Sequence, residues 1–330
     1  MQTPLVSVIT VNFNQTEVTC ALLDSIRRQD YKAVEVIVVD NGSAENPAAL
    51  FALRYPEAAF IRSETNLGFA GGNNLGLQKA NGQYLLFINN DAELTGGCLA
   101  RLVALFSEIP GLGIASPLIC FHPAAENPPA ASPAPYTLHP LSAAIIQYAG
   151  MTPVYPLTGR NRIIGEGEKN AGQFSAPRPT AYAHGAAMLV SRAVLERAGP
   201  MSEDFFLYYE ELDWCERIRR AGYSVWLEPR ACVFHKESLT VGKLGPLKTY
   251  YLCRNRILFM RRNFRGWRLG VFFLFLLLVT IPKNALFYLW RGEKDNLDAF
   301  LQGVWWNFLP SGGNTWEKKP SSLAPYRQGV

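Results

Sequence analysis

Three consecutive polar side chains, Asn89, Asn90 and Asp91, follow an apolar run at residues 85–88. Such a run is typical of a short buried strand. Because ligands of open α/β sheets bind beyond the carboxyl ends of the strands, these side chains would face a ligand. Amide and carboxylate oxygens suit Mg²⁺ or Mn²⁺. The pattern therefore predicts a divalent-metal site that holds a diphosphate, with an Asn-rich turn as the alternative.

A second acidic group occupies residues 210–216. Asp213 and Glu216 each have an arginine four residues further on, which would pair with them in a helix. Glu210 and Glu211 have no such partner, so they are candidates for a catalytic acid or base. The alternative is that acids favour the first turn of a helix, where the helix dipole stabilises them.

Two earlier apolar runs also end in polar residues. Residues 5–11 lead into Asn12 and Asn14, and residues 34–39 lead into Asp40. Asn14 and Glu17 match a capping box at the start of a helix. Asp40 could accept a hydrogen bond from a nucleotide base or ribose, or merely cap the next turn. No GxGxxG follows the first strand, which argues against a dinucleotide site.

Glycines cluster between Asn66 and Asn73, just before a short predicted helix. Gly68 and Gly71 would let the backbone approach a ligand and leave N–H groups free for phosphate oxygens. The cluster precedes the strand that ends at Asp91, so one diphosphate could contact both.

The elements that position these residues indicate an α/β class. The 330 residues are 48% apolar and 18% charged, enough for one large core or two smaller ones. Six cysteines without a CxxC pair fit reduced thiols and argue against a zinc site. The first residues lack a signal-peptide pattern, so we expect the catalytic body in the cytoplasm.

The interval 123–179 contains ten of the 22 prolines. It predicts an elaborated loop over the active-site face or, for its first half, an inconsequential disordered insertion. Residues 150–167 look strand-like, and Arg160 and Arg162 could face an acidic acceptor. Further on, separate strands are expected at 223–228 and 231–235. The second ends in His235, and a lone histidine there is more often a core residue than a ligand.

The positive charge is concentrated near the carboxyl terminus. Residues 243–268 contain eight basic residues and no acidic one, interleaved with aromatics. The apolar run 269–281 is too short to span a bilayer, and Pro282, Lys283 and Asn284 interrupt its continuation. We predict an in-plane or re-entrant membrane hairpin at an anionic, cytoplasmic surface, in preference to nucleic-acid binding.

The motifs VSVITVNFN, VVDNGS, NLGFAGGNN and INNDAE, in this order, resemble those of the inverting nucleotide-sugar glycosyltransferases of family 2. The likeness is greatest to bacterial rhamnosyltransferase-like members and covers residues 6 to about 262. It implies a GT-A αβα sandwich with a mostly parallel central sheet. It also implies that Glu211, beside Glu210, is the catalytic base and that His235 binds the metal with Asp91. The family motif is usually Asp-x-Asp, whereas this chain has one carboxylate, Asp91.

We therefore predict a GT-A domain at 1–242 with a Pro-rich insertion at 123–180, membrane-associating helices at 243–306 and a tail at 307–330. The enzyme would move a sugar, rhamnose by resemblance, from a dTDP-linked donor to a glycan or polyprenyl-diphosphate-linked acceptor at the cytoplasmic face of the inner membrane. Its cofactor would be Mg²⁺ or Mn²⁺. A nucleotidyltransferase and a non-catalytic nucleotide-sugar-binding protein are the alternatives. The predicted donor-binding residues are Asn12, Asn14, Asp40, Asn66, Gly68, Gly71, Asn73, Asn90 and Asp91.

Overall fold

The computed structural model describes residues 3–123, 144–236 and 245–309. Part of the predicted insertion and of the predicted tail, and Lys243 of the basic segment, lie outside these ranges. The strands are β1 (Val6–Asn12), β2 (Val34–Asn41), β3 (Ala59–Ser63), β4 (Tyr84–Ile88), β5 (Ala92–Leu94), β6 (Leu112–Phe121), β7 (Ile146–Tyr148), β8 (Arg178–Pro179), β9 (Ala187–Ser191) and β10 (Ser224–His235).

Helices cover both faces of one central sheet, and the last three helices pack against other helices. The helices are α1 (Thr16–Arg27), α2 (Ala48–Arg54), α3 (Gly68–Leu77), α4 (Cys98–Glu108), α5 (Arg192–Ala198), α6 (Glu210–Arg220), α7 (Pro246–Asn263), α8 (Trp267–Phe275), α9 (Ile281–Arg291) and α10 (Lys294–Trp306). Strand residues alternate between two cores because successive side chains point to opposite faces. Val8 packs with α1, α2 and α4, whereas Ile9 packs with α3, α6 and α7.

The sheet has the order β3-β2-β1-β4-β9-β6-β10-β5. Its β3-β2-β1-β4 half is parallel, and β9 and β5 introduce antiparallel pairings into the rest. The αβα layering is as predicted, and the sheet is mixed. The carboxyl ends of β1, β2 and β4 meet at one edge, as the sequence required.

The two strands predicted at 223–228 and 231–235 form a single strand, β10. The strand pairs with β6 along its length, but Glu228 aligns with Pro117 and Cys232 with the next residue, Leu118. The residues between them form a bulge. Pro229 lies there because it has no N–H to give to the sheet.

Helix α7 belongs to the core although its sequence is basic. Cys253, Ile257, Phe259 and Met260 are buried in the same cluster as the sheet residues. The predicted domain boundary at residue 242 stays a prediction, and the helix beyond it packs against the same core as the residues before it.

The apolar segment is one helix and not a broken hairpin. The helix Trp267–Arg291 has 25 residues and a mean hydropathy of 2.0 over its most apolar window, so its length and composition suffice to cross a membrane. Only 17% of that window is buried inside the protein. The predicted break at Pro282 is wrong, because a π-helical turn at Leu276–Thr280 precedes it. This wider turn accommodates Pro282, which has no N–H to donate and whose ring crowds the preceding turn of the helix.

Candidate active site

A cavity of about 300 Å³ opens at the carboxyl edge of the sheet. It brings together the predicted metal ligands, the predicted base and part of the glycine-rich loop. Its lining residues that carry the argument are Phe13, Asn41, Asn66, Gly68, Asn73, Asn89, Asn90, Asp91, Gln147, His184, Glu210, Glu211, His235 and Lys248.

Asp91 and His235 meet because β5, which follows Asp91, pairs with the end of β10. The distance between Asp91 Oδ1 and His235 Nε2 is 3.1 Å. Even so, Asp91 Oδ1 is a buried oxygen without a hydrogen-bond partner among the described residues. Both residues are buried, at 7% and 4% exposure. Two electron-pair donors so close together require a proton or a cation between them.

Gln147 fixes which nitrogen of His235 offers that electron pair. His235 Nδ1 lies 2.9 Å from Gln147 Oε1, a carbonyl acceptor, so Nδ1 carries the proton. Nε2 therefore carries the lone pair of the ring, and the Asn89 amide donates to it at 3.2 Å. This tautomer is the one that a metal ligand needs. No cluster of three or more His, Cys, Asp or Glu ligands exists within the described ranges, so the protein set is sparse but of suitable chemistry.

Glu210 and Glu211 begin α6 and both line the cavity. Each has a buried carboxylate oxygen without a hydrogen-bond partner in the described part of the chain. Burial raises the pKa of Glu211 to about 7. Burial, and then the neighbouring charge of Glu211, raises the pKa of Glu210 well above its ordinary value. A glutamate whose pKa lies near neutral pH, as that of Glu211 does, exchanges a proton readily, which suits a general base.

The segment before these acids has an unusual backbone. Phe206, Tyr208 and Tyr209 have φ of +64°, +70° and +75°, a region that residues with a side chain rarely adopt. Asn255 of α7, fully buried, holds this segment in place. Its amide nitrogen lies 2.7–2.9 Å from the carbonyls of Phe205, Leu207 and Tyr208. A helix that the sequence assigned to the membrane segment therefore positions the start of α6.

The glycine-rich loop is built differently from the prediction. The N–H groups of Leu67, Gly68 and Phe69 already donate to Asn41, Asn66 and Phe206. The expectation of free N–H groups at the start of α3 is therefore wrong. The glycines instead allow close packing: a Cβ on Gly68 would lie 2.3 Å from the Phe206 ring, and one on Gly76 would lie 2.6 Å from Ile9.

Asn12, Asn14, Asp40 and Gly71 do not line the cavity. Asp40 is fully buried, and its carboxylate accepts hydrogen bonds from Asn12, Ser43 and Arg62. The network continues to the cavity, because Asn12 accepts from Thr19, which in turn accepts from Asn90. Asp40 therefore stabilises the position of Asn90 through Asn12 and Thr19. Direct contact between Asp40 and a ligand stays a prediction.

The capping box predicted from Asn14 is wrong. Its side-chain oxygen accepts from the N–H of Ala44, and α1 begins without a side-chain cap. On α6, Asp213 pairs with Arg217 as predicted, at 3.1 Å. Glu216, however, pairs with Arg219, three residues on, at 2.6 Å.

His184 is a cavity residue that the sequence did not identify. Its Nδ1 accepts from the N–H of Ala186 at 3.1 Å, so Nε2 carries the proton. Burial and then the nearby His235 lower its pKa to about 3, which keeps the ring neutral. Phe13, Asn41, Gln147 and Lys248 were missed as well. Phe13 and Asn41 adjoin predicted site residues, which is the one signal that could have found them.

The fold and the cavity define a GT-A glycosyltransferase. The family model of Glycosyl transferase family 2 matches residues 7–198, more than half of the chain. The chain therefore belongs to glycosyl transferase family 2, as its motifs predicted.

The proteins that this chain resembles in sequence include two named sugar transferases. The low-salt glycan biosynthesis hexosyltransferase Agl10 of Haloferax volcanii is 28% identical over 224 residues, 66% of this chain and 63% of its own length. The N-acetylglucosaminyl-diphospho-decaprenol L-rhamnosyltransferase of Mycobacterium tuberculosis is 22% identical over 276 residues, 80% of this chain and 87% of its own. The match thus leaves more than a third of the Haloferax protein uncovered.

Two solved structures share the fold. A mannosyltransferase from Pyrobaculum calidifontis in complex with GDP-Man and Mn²⁺ has a TM-score of 0.54 and 19% identity, over 97% of this chain and 89% of its own. Residues 1–349 of S. aureus TarS in complex with UDP-GlcNAc have a TM-score of 0.55 and 16% identity, over 91% and 81%. These likenesses establish the fold.

Proposed function

We propose that the protein is an inverting, metal-dependent hexosyltransferase that transfers a sugar from a nucleotide diphosphate to a hydroxyl of a lipid-linked acceptor. The observation that carries this is a single cavity, in a family 2 protein, that contains both the Glu210–Glu211 pair and the Asp91–His235 pair. The name of the mycobacterial relative favours rhamnose and a polyprenyl-diphosphate acceptor. A dTDP-linked donor follows from the resemblance in the motifs.

The cavity offers different surroundings to the parts of such a donor. Phe13, Asn41 and Asn66 supply an aromatic face and amides for the base and ribose. Asn73, Asn90 and Asp91 are the polar residues for the sugar and diphosphate. Asn12 and Asp40 belong to the network that reaches Asn90, and direct contact of Asn12, Asn14 or Asp40 with the donor stays a prediction.

Asp91 and His235 would hold the divalent cation, Mg²⁺ or Mn²⁺. When bound, that cation stabilises negative charge on the departing diphosphate. Gln147 would keep His235 in the required tautomer. His184, with its proton on Nε2, adds a neutral hydrogen-bond donor to the same wall of the cavity.

Glu211 would accept the proton of the acceptor hydroxyl while that oxygen attacks the anomeric carbon. The bond from that carbon to the diphosphate oxygen breaks on the opposite face, so the configuration inverts. Burial and the charge of Glu211 both oppose ionisation of Glu210, which would keep a second negative charge away from Glu211. Asn255 would hold the segment that aims both acids.

The membrane is part of the proposal. Several large apolar side chains of Trp267–Arg291 are exposed, among them Leu277 at 62%, Leu278 at 63% and Trp290 at 84%. A lipid surface would cover them. The cytoplasmic face is the one on which nucleotide sugars are available, so we place the cavity there.

Isothermal titration of a nucleotide-sugar panel (dTDP-rhamnose, UDP-GlcNAc, GDP-mannose) with and without Mn²⁺ tests the proposal. One donor should bind only with metal, and Asp91→Ala should abolish that binding. Asp298→Ala, which removes an acid on α10 outside the cavity, is the matched control. Binding that is unchanged in EDTA would contradict the metal site.

The released product separates the two enzyme classes. Sugar transfer releases a nucleoside diphosphate, whereas a nucleotidyltransferase releases pyrophosphate. Pyrophosphate as the product would refute the proposed reaction. Tight donor binding with neither product, when a polyprenyl-diphosphate-linked acceptor is supplied, would identify a non-catalytic binding protein.

A further inference from the structure

Two arginines, Arg160 and Arg256, lie together without an acidic partner. Arg256 is 6% exposed, and its Nε is buried with no hydrogen-bond partner in the described part of the chain. Neither guanidinium forms an ion pair with a carboxylate of residues 3–123, 144–236 or 245–309. A buried cation without a counter-charge is unfavourable unless an anion binds it.

The backbone brings the two side chains together. Arg160 follows Gly159 at the tip of a hairpin that closes through the Tyr155–Arg160 bridge. Gly159 has φ of +64°, and a Cβ there would lie 3.1 Å from Arg256 Cγ and 2.9 Å from the Phe272 ring. The hairpin tip is therefore pressed against α7 and α8, and its position is fixed.

The two positive charges act on each other. After desolvation, the largest effect on the pKa of Arg160 is the lowering by the positive charge of Arg256. Arginine remains protonated in proteins, so the two positive charges persist and repel each other. A polyanion would convert that repulsion into binding.

The position of the pair points to the acceptor and not to the donor. Tyr209 donates to the carbonyl of Gly159 at 3.3 Å, and its phenol interacts electrostatically with both arginines and with Glu211. Tyr209 immediately precedes the Glu210–Glu211 pair. Neither arginine lines the cavity that holds the proposed donor site.

The arginine pair has apolar surroundings on the side of α8 and α9. Phe272 of α8 packs on the hairpin tip, and Tyr288 of α9 is within electrostatic range of Arg160. The pair thus lies where the exposed apolar helix adjoins the core. Planar guanidinium groups match phosphate oxygens in pairs, and two of them match a diphosphate.

We propose that Arg160 and Arg256 bind the diphosphate of a polyprenyl-diphosphate-linked acceptor, with its chain along α8 and α9 and its sugar toward Glu211. This assignment rests on the proposed function and adds the residues that recognise the acceptor. It concerns binding only, so it can be tested without turnover.

Farnesyl diphosphate is the probe, and farnesol is its neutral counterpart. Binding to the full chain is measured in detergent and EDTA, so that a metal at Asp91 and His235 does not contribute. We expect farnesyl diphosphate to bind at least about tenfold more tightly than farnesol. Arg160→Gln and Arg256→Gln should each weaken it by about tenfold or more. Lys169→Gln, which removes an exposed cation at the base of the same hairpin, should change it by less than about twofold.

Three results would overturn the assignment. They are equal binding of farnesyl diphosphate and farnesol, wild-type affinity in both arginine variants, and an equal loss in Lys169→Gln. If Arg256→Gln does not fold, farnesyl diphosphate binding is measured on Arg256→Lys and on Arg160→Gln, which alters an exposed residue. These two variants then decide the assignment.

A parallel measurement identifies the source of the phosphate. Cosedimentation with phosphatidylcholine vesicles, with or without phosphatidylglycerol, should be unaffected by the substitutions. Selective loss of phosphatidylglycerol binding, with farnesyl diphosphate binding intact, would make the pair a lipid-headgroup site and refute the proposal. If no nucleotide sugar binds but farnesyl diphosphate binding still depends on the two arginines, the proposed function is refuted and the diphosphate site remains.

Discussion

Replacing Glu211 with glutamine should stabilise the protein at alkaline pH, because Glu211 is a half-buried acid that has one enclosed carboxylate oxygen and a raised pKa. The pKa lies at about 7 in the folded protein, against an ordinary value of 4.5. The stability that such a group contributes is complete below 4.5 and is lost as the pH rises through about 7. Glutamine has no charge to desolvate, so the variant escapes this loss.

The size of the effect follows from the same two values. Since each tenfold change in an acid constant corresponds to about 1.4 kcal/mol, Glu211→Gln should exceed the wild type by about 3 kcal/mol in free energy of unfolding at pH 8. At pH 5 the difference should be less than about 1 kcal/mol. Urea denaturation at both pH values, followed by tryptophan fluorescence, measures it, since Trp214 is fully buried on the same helix.

Asp213→Asn is the matched control on α6. Asp213 forms an ion pair with Arg217 and accepts from Asn263, so its substitution should destabilise the protein by about 2 kcal/mol at pH 8. If Glu211→Gln is no more stable than the wild type at pH 8, or is more stable by the same amount at both pH values, desolvation of the Glu211 carboxylate does not limit the stability of the protein.

Three further predictions concern the metal site, the strained segment and the apolar helix. Gln147→Leu should weaken Mn²⁺ binding by about 10- to 100-fold, measured by electron paramagnetic resonance, and unchanged affinity would show that Gln147 does not set the tautomer of His235. Asn255→Ala should lower the free energy of unfolding by about 2 to 4 kcal/mol and reduce kcat more than donor affinity, since it removes the amide whose two N–H groups are shared among three carbonyls of residues 205–208; wild-type kcat would contradict its positioning role. Leu277→Asp with Leu278→Asp should abolish sedimentation with phosphatidylglycerol vesicles while nucleotide binding persists, and retained sedimentation would locate the membrane contact elsewhere.

The sequence predicted the features that depend on local pattern. Apolar runs of strand length marked β1, β2 and β4, and the polar residues after them do meet at one edge of the sheet. The acidic group at 210–216 does begin a helix. Strong hydrophobic patterning and the position of a residue after a strand are therefore reliable where the tertiary structure repeats what the local sequence indicates.

The errors arose where long-range contacts decide. The N–H groups of the glycine loop are occupied by Asn41 and Phe206, which are distant in sequence. Asn255 appeared to belong to a membrane-binding basic segment, yet it holds the segment that precedes Glu210. Pro282 suggested a break, but a π-helical turn absorbs it. Gln147 lies in a Pro-rich interval without helix or strand periodicity, so its contact with His235 could not be foreseen.

The central claim is that Glu211 is the base of an inverting sugar transfer. Single-turnover rates of Glu211→Gln and Glu210→Gln at saturating donor test it most directly. Both variants keep the shape of the carboxyl group, so donor binding should be unaffected. Glu211→Gln should lower the rate of the chemical step by about 10²- to 10⁴-fold and abolish its rise with pH up to about 7, and Glu210→Gln should lower it far less. A Glu211→Gln enzyme that turns over near the wild-type rate would contradict the mechanism.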